Sequence, residues 1–316
     1  MREFFVKDKE ENQRLDKYLR KNMDDVALSS IYKIFRKKDV KVNGIREKED
    51  YLVKVNDKII VYVEEKKHND HQEIKKYQKE FDVIYEDNNI LIVNKPIGLE
   101  VQDDGKNNLT SQVLTYLNSK NEYFYEDNFK PSPAHRLDRN TSGLVVFGKS
   151  VKVLQELNEC FKNRIGIEKY YLALVLGKTK EKETLSFPLL KNEKSKIVKV
   201  DFEKGLTAKT KYQLVWTNNN YSLLEVQLMT GRTHQIRVHL SYIGHPLIGD
   251  EKYGDFKENK LFYNQFKYRY QFLHAYKMCF TNLNGVLKYL NNRNFMAPLT
   301  SDKITILKAL GYKNSI

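Results

Sequence analysis

Asp138 stands between two arginines in the run Pro133-Ala134-His135-Arg136-Leu137-Asp138-Arg139-Asn140-Thr141-Ser142-Gly143. Positive charge nearby favours the ionised form of a carboxyl and lowers its pKa, so the sequence predicts a charged carboxylate, a usable nucleophile, at this position. Thr141-Ser142-Gly143 reads as a turn into Leu144-Val145-Val146-Phe147, a short β-rich run, which sets Asp138 on a loop at the edge of a sheet. Reactive groups often occupy such loops. The competing reading is a structural ion pair between Asp138 and a local arginine.

Three further blocks follow the same order as a known pattern. They are Asn94-Lys95-Pro96-Ile97-Gly98 upstream, Lys169-Tyr170-Tyr171-Leu172-Ala173 downstream, and Thr230-Gly231-Arg232-Thr233-His234-Gln235-Ile236-Arg237-Val238-His239-Leu240 beyond them. Weaker matches lie at Leu273-His274-Ala275 and Ala297-Pro298-Leu299. With these blocks, residues 81–300 resemble the RluA family of RNA pseudouridine synthases. The resemblance implies an α+β catalytic domain with a mixed, mainly antiparallel sheet. It also implies a reaction in which the bond between ribose and N1 of uracil breaks, the base turns, and C5 is joined instead. Such a rearrangement needs no redox cofactor, ATP or metal, and the sequence offers neither a phosphate-cradling glycine loop nor a metal-ligand cluster.

The resemblance also distributes roles. Asp138 matches the catalytic aspartate, with ribose C1′ and uracil C6 both open as its point of attack. Arg232 matches the basic residue that pairs with that carboxylate, and Arg237, five residues on, is the rival for the same role. Tyr171 matches a tyrosine placed to stack on the uracil and to exchange a proton. Most of the 21 tyrosines must simply pack. A uridine stacked in RNA has to swing out to meet a buried carboxylate. Arg136, Arg139 and Arg237 are the expected phosphate ligands around it. His135 is expected to order its loop or approach RNA, and Lys95-Pro96-Ile97-Gly98 to form an architectural turn. The five-residue interval from His234 to His239 does not align metal ligands on one helix face as four would.

Bulk properties agree with an anionic partner. The excess of 55 Lys and Arg over 41 Asp and Glu gives a formal charge of +14, which favours nucleic acid over a small acidic metabolite. Cys160 and Cys279 are too few and too far apart for a disulfide framework or a zinc site, so both are expected to pack as small hydrophobes in a reducing cytoplasm. The N-terminus turns charged before a signal-peptide core could form, and no apolar run reaches membrane-spanning length, which predicts a soluble intracellular protein. A monomer is the default.

The elements that must position these residues divide at 64–80, an almost wholly polar stretch that reads as a solvated linker. Before it, Leu15, Tyr18 and Leu19 recur at helical spacing. Ser29 or Ser30 is placed to cap a second helix through Ile31–Lys38. Ile31, Ile34 and Phe35 fall on one face of that helix, and Lys33, Arg36 and Lys37 on another. Strands at 40–42 and 58–63 complete a pattern that, over residues 13–63, resembles the small α/β RNA-binding domain first recognised in small-subunit ribosomal protein four. That resemblance implies that Lys33, Arg36 and Lys37 lie along a phosphate backbone.

After the linker, strands are expected at 81–85, 90–94, 144–147, 170–176, 211–216 and 221–229, the last two joined as a hairpin. Helices are expected at 111–117, 151–161 and 233–243. The resulting organisation is an RNA-binding domain over 1–63, a tether over 64–80 and a catalytic domain over 81–316. Its details most resemble the RluC branch, which implies large-subunit (23S) ribosomal RNA as the target. A transfer-RNA substrate and an RNA-binding assembly factor without catalysis are the alternatives.

Overall fold

Two apolar sets in the sequence close into separate cores in the computed structural model, which describes residues 1–23, 26–63, 76–103, 107–124, 127 and 129–314. The smaller core belongs to β1 (Arg2–Phe5), α1 (Leu15–Asn22), α2 (Leu28–Lys37), β2 (Val40–Val42), β3 (Ile45–Arg46) and β4 (Lys58–Val61). The strands form an antiparallel sheet in the order β1-β4-β2-β3. Leu15, Tyr18 and Leu19 of α1 and Ile31 and Ile34 of α2 meet Val40, Val42, Ile59 and Val61 in the core. This leaves Lys33, Arg36 and Lys37 exposed. The expected serine cap does not form: α2 begins at Leu28, with Ala27 in the capping position and no side-chain cap. Ser29 and Ser30 lie exposed in its first turn, where the Ser30 N–H bonds the Ala27 carbonyl.

The larger unit runs through β5 (Asp82–Glu86), β6 (Ile90–Lys95), α3 (Leu109–Ser119), β7 (Ser132–Pro133), β8 (Ser142–Gly148), α4 (Val151–Asn163), β9 (Ile167–Leu176), β10 (Lys182–Leu185), β11 (Leu189–Lys191) and β12 (Val198–Val200). It continues through β13 (Thr210–Thr217), β14 (Tyr221–Leu228), α5 (Gln235–Tyr242), α6 (Phe256–Phe266), β15 (Leu273–Phe280), β16 (Arg293–Met296) and α7 (Ser301–Ala309). Its main sheet follows the order β10-β13-β14-β9-β15-β8-β6-β5, with β16 beside β15 and β7 beside β8. Every pairing is antiparallel except that of β8 with β15. This is the α+β class that the sequence predicts.

Alternation assigns the two faces. Leu91 and Val93 of β6 point to one core with Tyr171, Ala173 and Val175 of β9, under α3 and α5. Ile90 and Ile92 point the other way, against α4. Leu172 and Leu174 also take the far face, against α6 and α7. Asn108 caps α3 by accepting the Ser111 N–H, so α3 begins at Leu109, ahead of the expected 111, and Ser150 caps α4 by accepting the Val153 N–H, so α4 begins at Val151 as expected.

The single parallel pairing joins the halves of the sheet next to Asp138. His274 and Ala275 oppose Ser142 and Gly143, the first residues of β8. A Cβ on Gly143 would lie 2.2 Å from the Ala275 carbonyl oxygen, and its φ is +115°, so only glycine lets the strands approach here. Of the expected linker, 64–75 lie outside the described residues. Its described end is largely exposed and tied at two points, where Tyr77 and Glu80 donate backbone N–H groups to Thr115 and Gln112 of α3. Among the described residues no helix is long and apolar enough to cross a membrane.

Candidate active site

The loop between β7 and β8 carries Asp138, and its shape is set by backbone contacts rather than by charge. Thr141 N–H closes a turn on the Asp138 carbonyl at 3.0 Å, and Gly98 N–H donates to the Arg139 carbonyl at 3.0 Å. Lys95, fully buried at the end of β6, donates from Nζ to the carbonyls of Pro96, Leu99 and Arg139 at 2.8, 2.8 and 3.0 Å. Burial pushes its pKa down to about 7, with the negative charge of Asp138 acting in the opposite sense. The turn at Lys95-Pro96-Ile97-Gly98 thus clamps the Asp138 loop through one ammonium.

The guanidinium that meets Asp138 is that of Arg237, not those of its chain neighbours. Arg237 Nη1 lies 3.1 Å from Asp138 Oδ2. Its Nε and Nη2 form a two-pronged pair with Asp250, both at 2.7 Å. Arg237 is 6% exposed and Asp250 1%, so the pair is a fixed buried strut. Burial by itself opposes the Arg237 charge, but the two carboxylates more than offset it and raise its pKa. The Tyr253 ring closes over the guanidinium at 5.1 Å. Asp250 also accepts the N–H groups of Lys252 and Tyr253, which leaves it fully engaged.

Arg232 does not pair with Asp138. Its Nε donates to the Thr207 carbonyl at 3.2 Å, and its backbone N–H is held by Gln235 at 3.0 Å. The expectation fails because Arg232, in the loop before α5, turns to the Thr207 carbonyl, whereas Arg237, buried within α5, reaches Asp138. The same finding removes Arg237 from the expected phosphate ligands, since its guanidinium is consumed inside. Arg139 is exposed and turns away to the Gly98 carbonyl at 3.0 Å, and Arg136 is exposed. Neither supplies the charge beside the Asp138 carboxylate that their sequence positions suggest.

Tyr171 lies at the centre of the sheet, opposite Val226 on β14 and Ala275 on β15, and packs beside Leu137, Ile236 and Leu273. Burial, assisted by the Asp138 charge, raises its pKa, so its hydroxyl stays protonated near neutrality. Tyr170 faces the other side of the sheet and donates to Glu168. His135 orders its own loop: its ring packs on Phe161 at 4.7 Å, and Nε2 accepts the Val146 N–H at 3.4 Å.

Asp138 and Tyr171 share an open cleft of about 850 Å³. Arg136, Arg139, Lys169, Lys191, Lys196, Arg232, Arg237 and Lys252 line it against Glu100, Asp138 and Glu251, so the cleft is basic. Burial lowers the pKa of Lys169, on its wall, to about 8. Asp250 and Tyr253 are not singled out in the sequence, and His234 is weighed there only as a metal ligand.

Comparison with known proteins bears on the family and the fold. The RNA pseudouridylate synthase family profile matches residues 89–242. An RNA pseudouridine synthase of Mycoplasma capricolum is 37% identical over 93% of this chain and 96% of its own. The ribosomal large subunit pseudouridine synthase C of Vibrio parahaemolyticus is 36% identical over 77% of each chain. The solved structure of human RNA pseudouridylate synthase domain containing 4 shares the fold with a TM-score of 0.59 at 23% identity, over 72% of this chain and 92% of that one. Sheet, cleft and relatives converge: this chain belongs to the RluA family of RNA pseudouridine synthases and is RluC-like, an isomerase that makes pseudouridine in RNA.

Proposed function

We propose that the chain isomerises uridines in large-subunit ribosomal RNA with Asp138 as the nucleophile. One observation carries this reading: a partly exposed carboxylate is held by a buried guanidinium on the wall of a basic cleft, next to a tyrosine that keeps its proton. The target class rests on the similarity to large-subunit synthase C.

In this mechanism the Asp138 carboxylate bonds to the nucleoside, at ribose C1′ or uracil C6, while N1–C1′ breaks. The base turns, C5–C1′ forms, the carboxylate leaves, the C5 proton is lost to water, and N1 gains a proton. Arg237 orients the carboxylate. Tyr171 stacks on the extruded uracil and enters as a proton donor. Arg136, Arg139 and Arg232, on the rim, hold the distorted phosphate backbone.

Residues 1–63 serve as an RNA-binding domain of the ribosomal-protein type, with Lys33, Arg36 and Lys37 on the phosphates. Residues 64–80 tether it to the catalytic domain, 81–316. The tether raises the effective concentration of RNA at the cleft. The enzyme works as a cytoplasmic monomer.

RNA tritiated at uracil C5 tests the proposal, because isomerisation releases the label to water. Wild-type protein is expected to release it from large-subunit ribosomal RNA. Asp138→Asn is expected to bind the same RNA and release none. Normal turnover by that variant would remove Asp138 as nucleophile, and release from transfer RNA alone would overturn the ribosomal target.

A further inference from the structure

His234 stands beside the Asp138–Arg237 pair, and no step above uses it. Its Nε2 is 4.0 Å from Asp138 Oδ2, the oxygen that Arg237 also addresses. Its Nδ1 is 2.8 Å from the Tyr253 hydroxyl. The residue occupies the N-cap of α5 with φ +53°, uncommon for a residue bearing a side chain, and its ring is held by Tyr253.

The hydrogen-bond chain around Tyr253 sets the state of the ring. The Tyr253 hydroxyl oxygen accepts the Val198 N–H of β12 at 2.9 Å. Its own proton then goes to His234 Nδ1, the remaining acceptor in its hydrogen bonds. A neutral imidazole that accepts at Nδ1 carries its proton on Nε2. That N–H faces Asp138. The opposite tautomer would turn two donors at the Tyr253 oxygen and leave the half-buried hydroxyl proton only solvent to accept it.

We propose that His234 is a positioning residue for the nucleophile: a neutral imidazole, locked by Tyr253, that presents Nε2–H to Asp138 Oδ2 beside Arg237. Arg237 bonds Oδ2 at 3.1 Å and Nε2–H stands 4.0 Å off as an electrostatic contact, so both favour charge on Oδ2 and leave Oδ1 as the attacking oxygen. Among the described residues Oδ1 makes no hydrogen bond. This inference rests on Asp138 being the nucleophile.

The groups facing the ring are Asp138, Arg237, Lys252, Asp250 and Tyr253. Burial and the two cations outweigh the two carboxylates and lower the imidazole pKa, so the ring is neutral near pH 7.

Nitrogen NMR of the full chain labelled with ¹⁵N-histidine reads the tautomer directly, with the His234 signals identified by their loss in His234→Gln. The expected spectrum at neutral pH has Nδ1 bare and Nε2 protonated. Tyr253→Phe, which keeps the ring over Arg237, is expected to mix the two tautomers. Single-turnover tritium release should slow about 10-fold in His234→Gln and Tyr253→Phe, the scale of one lost hydrogen bond. RNA affinity should be unchanged. The opposite tautomer in wild type, or tritium release at the wild-type rate by His234→Gln, would overturn the proposal. Turnover by Asp138→Asn would instead remove the nucleophile reading and leave the tautomer result standing.

Discussion

Arg237 gives Asp138 one nitrogen and Asp250 two: Nη1 lies 3.1 Å from Asp138 Oδ2, while Nε and Nη2 each lie 2.7 Å from the Asp250 carboxylate. The unequal division separates anchoring from function. Asp250, buried and engaged on both oxygens, holds the guanidinium plane, and the single free prong is aimed at the cleft. Removing the guanidinium leaves Asp250 as an unpaired buried charge, which costs about 3–5 kcal/mol. Arg237→Met is therefore expected to lower the unfolding free energy by that amount in urea titrations and to abolish tritium release. Arg232→Met, which leaves Asp138 and Asp250 untouched, is expected to cost under about 1 kcal/mol. Its effect should fall on RNA affinity. Equal stability losses in the two variants would contradict this division.

Gly143 is the residue at which the Asp138 loop becomes the parallel joint of the sheet. A methyl group there meets backbone, the Ala275 carbonyl oxygen at 2.2 Å and its nitrogen at 2.6 Å, so no side-chain movement can relieve the contact. Gly143→Ala also forces a φ of +115° on a residue that avoids it. The expected loss is about 3 kcal/mol or more. Thermal unfolding measures it, and a melting temperature within a degree or two of wild type would refute the close approach.

Alternation makes most of the fold legible in the sequence. Ile90 to Val93 and Tyr171 to Val175 declare two-faced central strands, and Thr217-Asn218-Asn219-Asn220 declares the β13–β14 hairpin. Asp138 and Tyr171 are legible through their motif blocks, and they line one cleft. The partner of Asp138 is only half legible: the motif gives Arg232 first and Arg237 as its rival. Arg237 is 99 residues away in the chain, and its approach depends on the β8–β15 pairing and on how α5 packs. Arg139 shows why adjacency misleads. In the turn after Asp138 the next side chain points elsewhere, here to the Gly98 carbonyl.

Buried neutral histidines predict acid lability in a defined window. His274 accepts the Ser142 hydroxyl at Nδ1 and donates from Nε2 to the Ala297 carbonyl, while Lys303 donates to the same Ser142 oxygen. This arrangement suits the neutral ring. Burial holds the His274 pKa at about 4 and that of His135 at about 3. In the unfolded chain both titrate near 6.5. Between pH 6.5 and 4 the unfolded state thus binds more protons than the native state, so stability present above pH 6.5 is lost as the pH falls. Each ring contributes a slope of up to about 1.4 kcal/mol per pH unit. Urea unfolding from pH 7 to 4.5 should show this decline, and His274→Gln should reduce its slope by roughly one proton. A pH-independent unfolding energy across that window would contradict neutral burial.

The N-terminal unit makes a prediction that separates attachment from chemistry. Ile31 and Ile34 commit one face of α2 to the core, and Lys33, Arg36 and Lys37 remain on the exposed side with no part in the cleft. If these cations lie on phosphates, each releases about 0.7 counterion from single-stranded RNA, and replacing all three with alanine should reduce the slope of log affinity against log salt by about 2. Affinity should fall for every RNA alike, because phosphate contacts carry no sequence information. At saturating RNA the single-turnover rate should not change, since Asp138, Arg237 and Tyr171 belong to the other core. A variant that keeps the wild-type salt slope would show that this face is only solvated. One that loses rate at saturation would show that the helix helps place the uridine as well as hold the strand.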